Sequence, residues 1–119
     1  MELKIDVKPR SGNIILICMK GTIFQQNVDL LNECVDNIIN KGINKIIMNF
    51  REISYIDSSG FGCLALLLRK VRKINGDIKL YGISSGIIQN FQILRLIKDN
   101  INQSGFEILN SEDEALKAF

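Results

Sequence analysis

Apolar and polar residues alternate at the start of the chain, Leu3, Ile5 and Val7 against Lys4, Asp6 and Lys8. A period of two belongs to a strand with one wet face, and it predicts a half-exposed edge strand over 3–9 that stops at Pro9. A turn through Arg10-Ser11-Gly12-Asn13 leads into Ile14-Ile15-Leu16-Ile17-Cys18-Met19, an apolar run expected to be buried on both faces. Over 28–41 the period changes. Leu31, Cys34, Val35, Ile38 and Ile39 share a helical stripe, with Asn27 placed to cap its start and Gly42 to end it.

The segment KIIMNF, 45–50, predicts a short, fully buried strand. Residues 59–75 form the clearest helix, with Leu64, Leu67, Leu68, Val71 and Ile74 on one side. Gly76-Asp77 turns into a strand at IKLYGI, 78–83. Ser84 or Ser85 then opens a helix carrying Ile87, Ile88, Phe91 and Leu94 and running to about Lys98. A short strand is expected at FEIL, 106–109. Ser111 with Glu114 three residues on is a capping box for a last helix. The order ββαβαβαβα predicts an α/β fold, a single mixed β-sheet with helices packed on it, and one domain over residues 1–119. The first pair supplies an antiparallel component to an otherwise parallel sheet.

Composition narrows the function classes. The 119 residues are 46% hydrophobic and 24% charged, which fits a globular chain, and a net charge of +2 is too small to argue for nucleic acid. No apolar stretch approaches the roughly 20 residues that cross a bilayer, so no membrane insertion is expected. The first residues have no basic and apolar signal pattern, and Cys18, Cys34 and Cys63 are scattered and unpaired in motif. Both point to the cytoplasm, with the cysteines as small core residues. The sequon at 102–104, Asn-Gln-Ser, carries little weight without a secretion signal.

Catalytic chemistry has one formal foothold, Gly82-Ile83-Ser84-Ser85-Gly86, which matches a nucleophile elbow between a strand and a helix. The chain contains no histidine to take the Ser84 proton, so an N-cap role is the stronger reading. There is no zinc spacing, phosphate loop or dinucleotide fingerprint, and no cofactor is expected. Arg69, Lys70, Arg72 and Lys73 lie near the end of the 59–75 helix, where positive charge suits the macrodipole. They read as a solvated face, with a partner or anionic surface as the alternative.

One stretch asks for more than folding. In Tyr55-Ile56-Asp57-Ser58-Ser59-Gly60-Phe61-Gly62 three capping candidates precede two glycines, each costing about 0.8–1 kcal/mol against alanine inside a helix. Missing side chains there would leave the first helical turn open to another molecule. A phosphate on a serine at this turn would add about −1.5 to −2 charge, partly balanced by the helix dipole. The helix would survive, while a partner docked on the turn would meet a bulky dianion.

The run from Met48 to Gly62, with Asp57-Ser58-Ser59-Gly60 at its centre, resembles the signature of STAS domains, closest to the bacterial anti-sigma factor antagonists. The likeness extends in element order over nearly the whole chain. It implies a partner-switching protein that is not an enzyme. An unphosphorylated antagonist binds an anti-sigma factor serine kinase, with ATP held by the kinase, and so frees a sigma factor. Phosphorylation abolishes the complex, and a PP2C-type phosphatase resets it. The resemblance places the phosphate on Ser58, with Asp57, Ser59, Gly60, Phe61 and Gly62 as the surrounding contact surface. Antagonists commonly carry Gly-x-Leu-Asp after the second strand, whereas this chain has Gly21-Thr22-Ile23-Phe24. Phe24 is expected either to make that surface apolar or to be buried under the loop. Other STAS domains are accessory subunits of transporters or sensory complexes that dock partners without a phosphoryl switch.

Overall fold

A computed structural model describes residues 2–119. Its strands are β1 (Leu3–Arg10), β2 (Ile14–Ile23), β3 (Lys45–Ile56), β4 (Asp77–Tyr81) and β5 (Glu107–Leu109). Its helices are α1 (Val28–Asn40), α2 (Ser58–Lys73), α3 (Ser85–Ile93) and α4 (Glu112–Lys117). The order is ββαβαβαβα, as the periodicities predict. All five strands form one sheet in the order β1-β2-β3-β4-β5, antiparallel between β1 and β2 and parallel elsewhere.

The alternation along each strand divides the interior in two. Ile15, Ile17 and Met19 of β2, Ile46, Met48 and Phe50 of β3, and Ile78 and Leu80 of β4 face the buried stripes of α1, α2 and α3. Phe91 sits at the centre of this layer, edge-on to Phe61, Phe106 and Phe50 at ring centroid distances of 5.1, 6.0 and 6.2 Å. Residues of opposite parity, Ile14, Leu16, Ile47 and Tyr81, pack with Ala115 of α4 on the other face. The run over 14–19 is thus apolar throughout because helices cover both sides of it.

The third strand is twice as long as its sequence pattern suggests. Between β2 and β3 the register slips from Cys18↔Asn49 to Lys20↔Glu52, and again from Gly21↔Ile53 to Thr22↔Tyr55. Each slip places one extra residue on β3, the mark of a β-bulge. Asn49 Oδ1 accepts from the Arg51 amide at 2.9 Å at the first, and Ser54 Oγ donates to Gly21 O at 3.2 Å at the second. The bulges break the two-residue alternation after Phe50, so the strand reads as ended there while it continues to Ile56.

Two further expectations are corrected. Asn27 does not cap α1: its Oδ1 accepts from the Phe24 amide and its Nδ2 donates to Thr22 O at 2.8 Å, closing the turn before the helix. The third helix ends at Ile93 and not near Lys98, because Arg95 adopts φ 55° and the Leu96 amide returns to Phe91 O. The capping box of α4 forms, with Ser111 accepting from the Glu114 amide while Glu114 reaches back to the amide of Asn110. Asn102 of the sequon donates to Arg95 O and Ile97 O, so its amide nitrogen braces the loop before β5.

Candidate functional site

The parallel strands β2 and β3 end together, and the turns leaving their carboxyl ends, 24–27 and Asp57-Ser58, stand side by side. Asp57 joins them. Its backbone N–H donates to Ile23 O at 3.1 Å, its Oδ1 accepts from the Gly60 amide at 2.8 Å, and its Oδ2 accepts from the Gln25 amide at 3.2 Å. One carboxylate therefore caps α2 and pins the neighbouring loop.

With Asp57 as the cap, Ser58 becomes the first residue of α2 and is exposed, so its hydroxyl is not needed to close the helix. It stands where the unpaired amides and the positive end of a 16-residue helix favour an anionic group. Ser59 is half-buried beside it.

The two glycines have different duties. A Cβ on Gly60 would lie 2.5 Å from Ile23 O and 2.7 Å from Ile56 Cγ2, so the first turn of α2 rests directly on the ends of β2 and β3. Nothing lies within 4 Å of a Cβ on Gly62. The expectation that both glycines open the turn to an outside molecule holds for Gly62 alone. Gly60 is filled by the protein's own chain. Phe61 is likewise buried against Phe91, so it supports the surface from beneath. Phe24 is half-buried, outside the main core cluster, next to the pinned Gln25.

Sequence reasoning missed two neighbours. Tyr55 is 54% exposed just before Asp57, and Leu66 is exposed about one turn along α2 beyond Gly62. The second bulge puts Ser54 and Tyr55 both on the exposed side between buried Ile53 and Ile56, so alternation counted from Ile53 hides Tyr55. Leu66 was legible, since it falls outside the stripe of Leu64, Leu67, Leu68 and Val71. Thr22, only 6% exposed and close to the same turn, has a side-chain oxygen with no hydrogen-bond partner among the described residues.

Other sequence candidates fall to structural roles. Ser84 caps α3, accepting from the Ile87 amide at 3.4 Å, the N-cap reading of the elbow motif. Arg72 is not part of a solvated basic face. It is half-buried, paired with Asp77 at 3.1 Å, and donates to the carbonyls of Ser104 and Gly105. Lys70 pairs with Asp36 of α1. Cys63 is buried and donates to Asn32 Oδ1 at 3.3 Å, and burial pushes its thiol up to about 11. No helix among the described residues is long and apolar enough to cross a membrane.

Known proteins share this architecture. Residues 5–115 match the family model of the STAS domain. The anti-sigma-B factor antagonist of Bacillus subtilis is 31% identical over 104 residues, 87% of this chain and 93% of that protein. The anti-sigma factor antagonist SpoIIAA in its unphosphorylated form superposes with a TM-score of 0.74 at 21% identity, covering 97% of this chain and 96% of that one. The Bacillus cell fate determinant SpoIIAA in its phosphorylated form gives 0.71 at 22% identity, covering 97% and 98%. A sulfate transporter family protein from Wolinella succinogenes gives 0.75 at 20% identity, covering 93% and 88%. With its signature turn, its sheet order and a family match over nearly its full length, the chain belongs to the STAS domain family.

Proposed function

We propose that this protein is an anti-sigma factor antagonist whose binding to an anti-sigma factor serine kinase is switched by phosphorylation of Ser58. It acts by binding and not by catalysis. The observation that carries the reading is the position of Ser58: exposed, first in α2, and relieved of capping by Asp57. A phosphate there faces the helix's free amides, so the fold accommodates it at little cost. The same dianion occupies the surface formed by Ser59, Gly62, Tyr55 and Phe24, where a docked kinase would have to desolvate it. A related antagonist, SpoIIAA, has been solved in both forms with this fold, which supports a switch that acts at the interface and leaves the architecture in place.

The kinase supplies ATP, a PP2C-type phosphatase removes the phosphate, and the unphosphorylated form frees a sigma factor. Phe24, in place of the acid usual in antagonists, gives this surface an apolar contact and implies a kinase with a matching apolar patch. Calorimetry with the kinase tests the switch. Ser58→Ala should bind at least about 10-fold more tightly than Ser58→Glu, a difference of about 1.4 kcal/mol. Equal affinities would refute it.

A second reading, an accessory subunit without phosphoryl switching, is favoured by the likeness to the transporter-family structure and by the exposed Tyr55 and Leu66. A gene for a transporter beside this one would support it, and one for a kinase or PP2C-type phosphatase would support the switch.

A further inference from the structure

The C-terminal half of α2 forms one wall of a groove of about 440 Å³ that runs toward the loop before β5. Ala65, Leu68 and Leu96 give it an apolar lining, Arg69 and Arg95 flank it as exposed cations, and no carboxylate lines it. Among the described residues neither Arg69 nor Arg95 forms an ion pair. Arg72 has the opposite character. Its guanidinium bonds Asp77 and the carbonyls of Ser104 and Gly105, fixing the loop that makes the far wall.

Arg95 is placed there against local preference. It follows α3 at φ 55°, a left-handed position that glycine takes freely and other residues adopt at a cost. Its side chain lines both this groove and an adjoining cavity of about 470 Å³, which Ile93 also lines. Asp99 shares that second cavity, with its carboxylate taken by the amides of Ile101 and Asn102. On the same stretch of chain Ile93 and Ile101 are 77% and 93% exposed, and Leu94 is exposed as well.

Two unpaired guanidinium groups over a concave apolar lining match carboxylates alternating with aliphatic side chains. Arg95 joins the groove to the cavity that exposed Ile93 lines, so apolar surface extends beyond what a small anion covers. A bilayer surface would bridge the concave lining, whereas a helix fills it. We propose that this groove docks an acidic amphipathic helix of a partner protein.

The site is independent of the Ser58 switch. Ala65 lies about 10 Å along α2 from Ser58 and Arg69 about 16 Å, at about 1.5 Å per residue. Both distances exceed the roughly 8 Å over which physiological salt screens charge. A partner could therefore stay tethered here in either phosphorylation state.

The test is an NMR titration of the 15N-labelled chain with a synthetic helical peptide of about 16 residues, leucine on one face and glutamate flanking it. The expected result is amide shifts confined to 65–69, 95–96 and 103–105, with dissociation below about 1 mM. Affinity should fall at least about 10-fold in Arg69→Glu/Arg95→Glu and be unchanged in Ser58→Glu, which separates this site from the switch. Arg95→Gly serves as the folding control, since it relieves the backbone while removing one cation, and it should bind more weakly without loss of stability. The proposal is overturned if the peptide leaves these amides unmoved at about 1 mM. It is also overturned if a peptide with lysine at every glutamate binds as well. Shifts produced by phosphatidylglycerol vesicles and not by the peptide would assign the groove to a lipid surface instead.

Discussion

Two glycines separated by one residue in the first turns of α2 should respond to alanine with opposite signs. In Gly60→Ala the new methyl meets Ile23 O at 2.5 Å and Ile56 Cγ2 at 2.7 Å, and the carbonyl belongs to a strand end already bonded to Asp57. Overpacking against backbone that cannot yield costs about 3 kcal/mol, and the better helix propensity of alanine returns about 1. The net loss is about 2 kcal/mol. In Gly62→Ala the methyl meets nothing within 4 Å, so the propensity gain of about 1 kcal/mol stands alone. For a chain of 119 residues the unfolding entropy near 60 °C is about 0.25 kcal/mol per degree, which converts these values to a Tm about 8 °C lower and about 4 °C higher. Thermal melts followed by circular dichroism, with urea titrations to check that the m value is unchanged, measure both. A Gly60→Ala variant as stable as the parent would refute the close approach of α2 to β2. A destabilised Gly62→Ala would refute the open turn. Gly62→Ala should also weaken kinase binding despite its stability, because the added methyl faces the proposed contact surface.

Removing the Asp57 carboxylate takes away the α2 cap and the tie to Gln25 together. Asp57→Ala should lose about 1–2 kcal/mol in urea unfolding, with faster hydrogen exchange at the Gln25 and Gly60 amides. Arg72→Ala should free the 103–105 loop and cost about 2–3 kcal/mol, seen as protease cleavage in that loop. With its thiol pushed up to about 11 from an ordinary 9.0, Cys63 should react with alkylating reagents about 100-fold more slowly at pH 8 in the folded chain than in the unfolded one. The unfolded thiol ionises first as pH rises, so the stability Cys63 contributes is complete below pH 9 and declines toward pH 11. A Cys63→Ala variant should show a shallower decline, the remainder coming from Cys34 and Tyr81, whose ionisation burial also opposes.

Element type and order were legible because most of this chain obeys one period at a time. The apolar stripe of α2 and the doubly buried run of β2 carry their burial in plain view. What escaped were places where tertiary contacts override the local pattern. The β3 bulges shift the facing of its residues twice, and hence hid Tyr55. Arg95 ends α3 without the glycine that usually signals such an end. Gly60 and Gly62 are the same residue type two positions apart, and only the nearness of Ile23 O separates a packing glycine from an open one. Ser58 was legible from its motif, whereas its freedom from capping depends on Asp57 taking that role. The groove beside Arg69 and Arg95 joins segments about 26 residues apart, which no local pattern brings together.

In the proposed switch Ser58 carries a phosphate whose occupancy decides partner binding. Phosphopeptide mapping of the protein recovered from its own cells, across growth and stress conditions, tests it most directly. The expected result is one phosphate on Ser58, at an occupancy that changes with condition, and none on Ser59. Phosphate confined to another residue, or none under any condition, would contradict the switch and leave the STAS fold as a constitutive docking subunit.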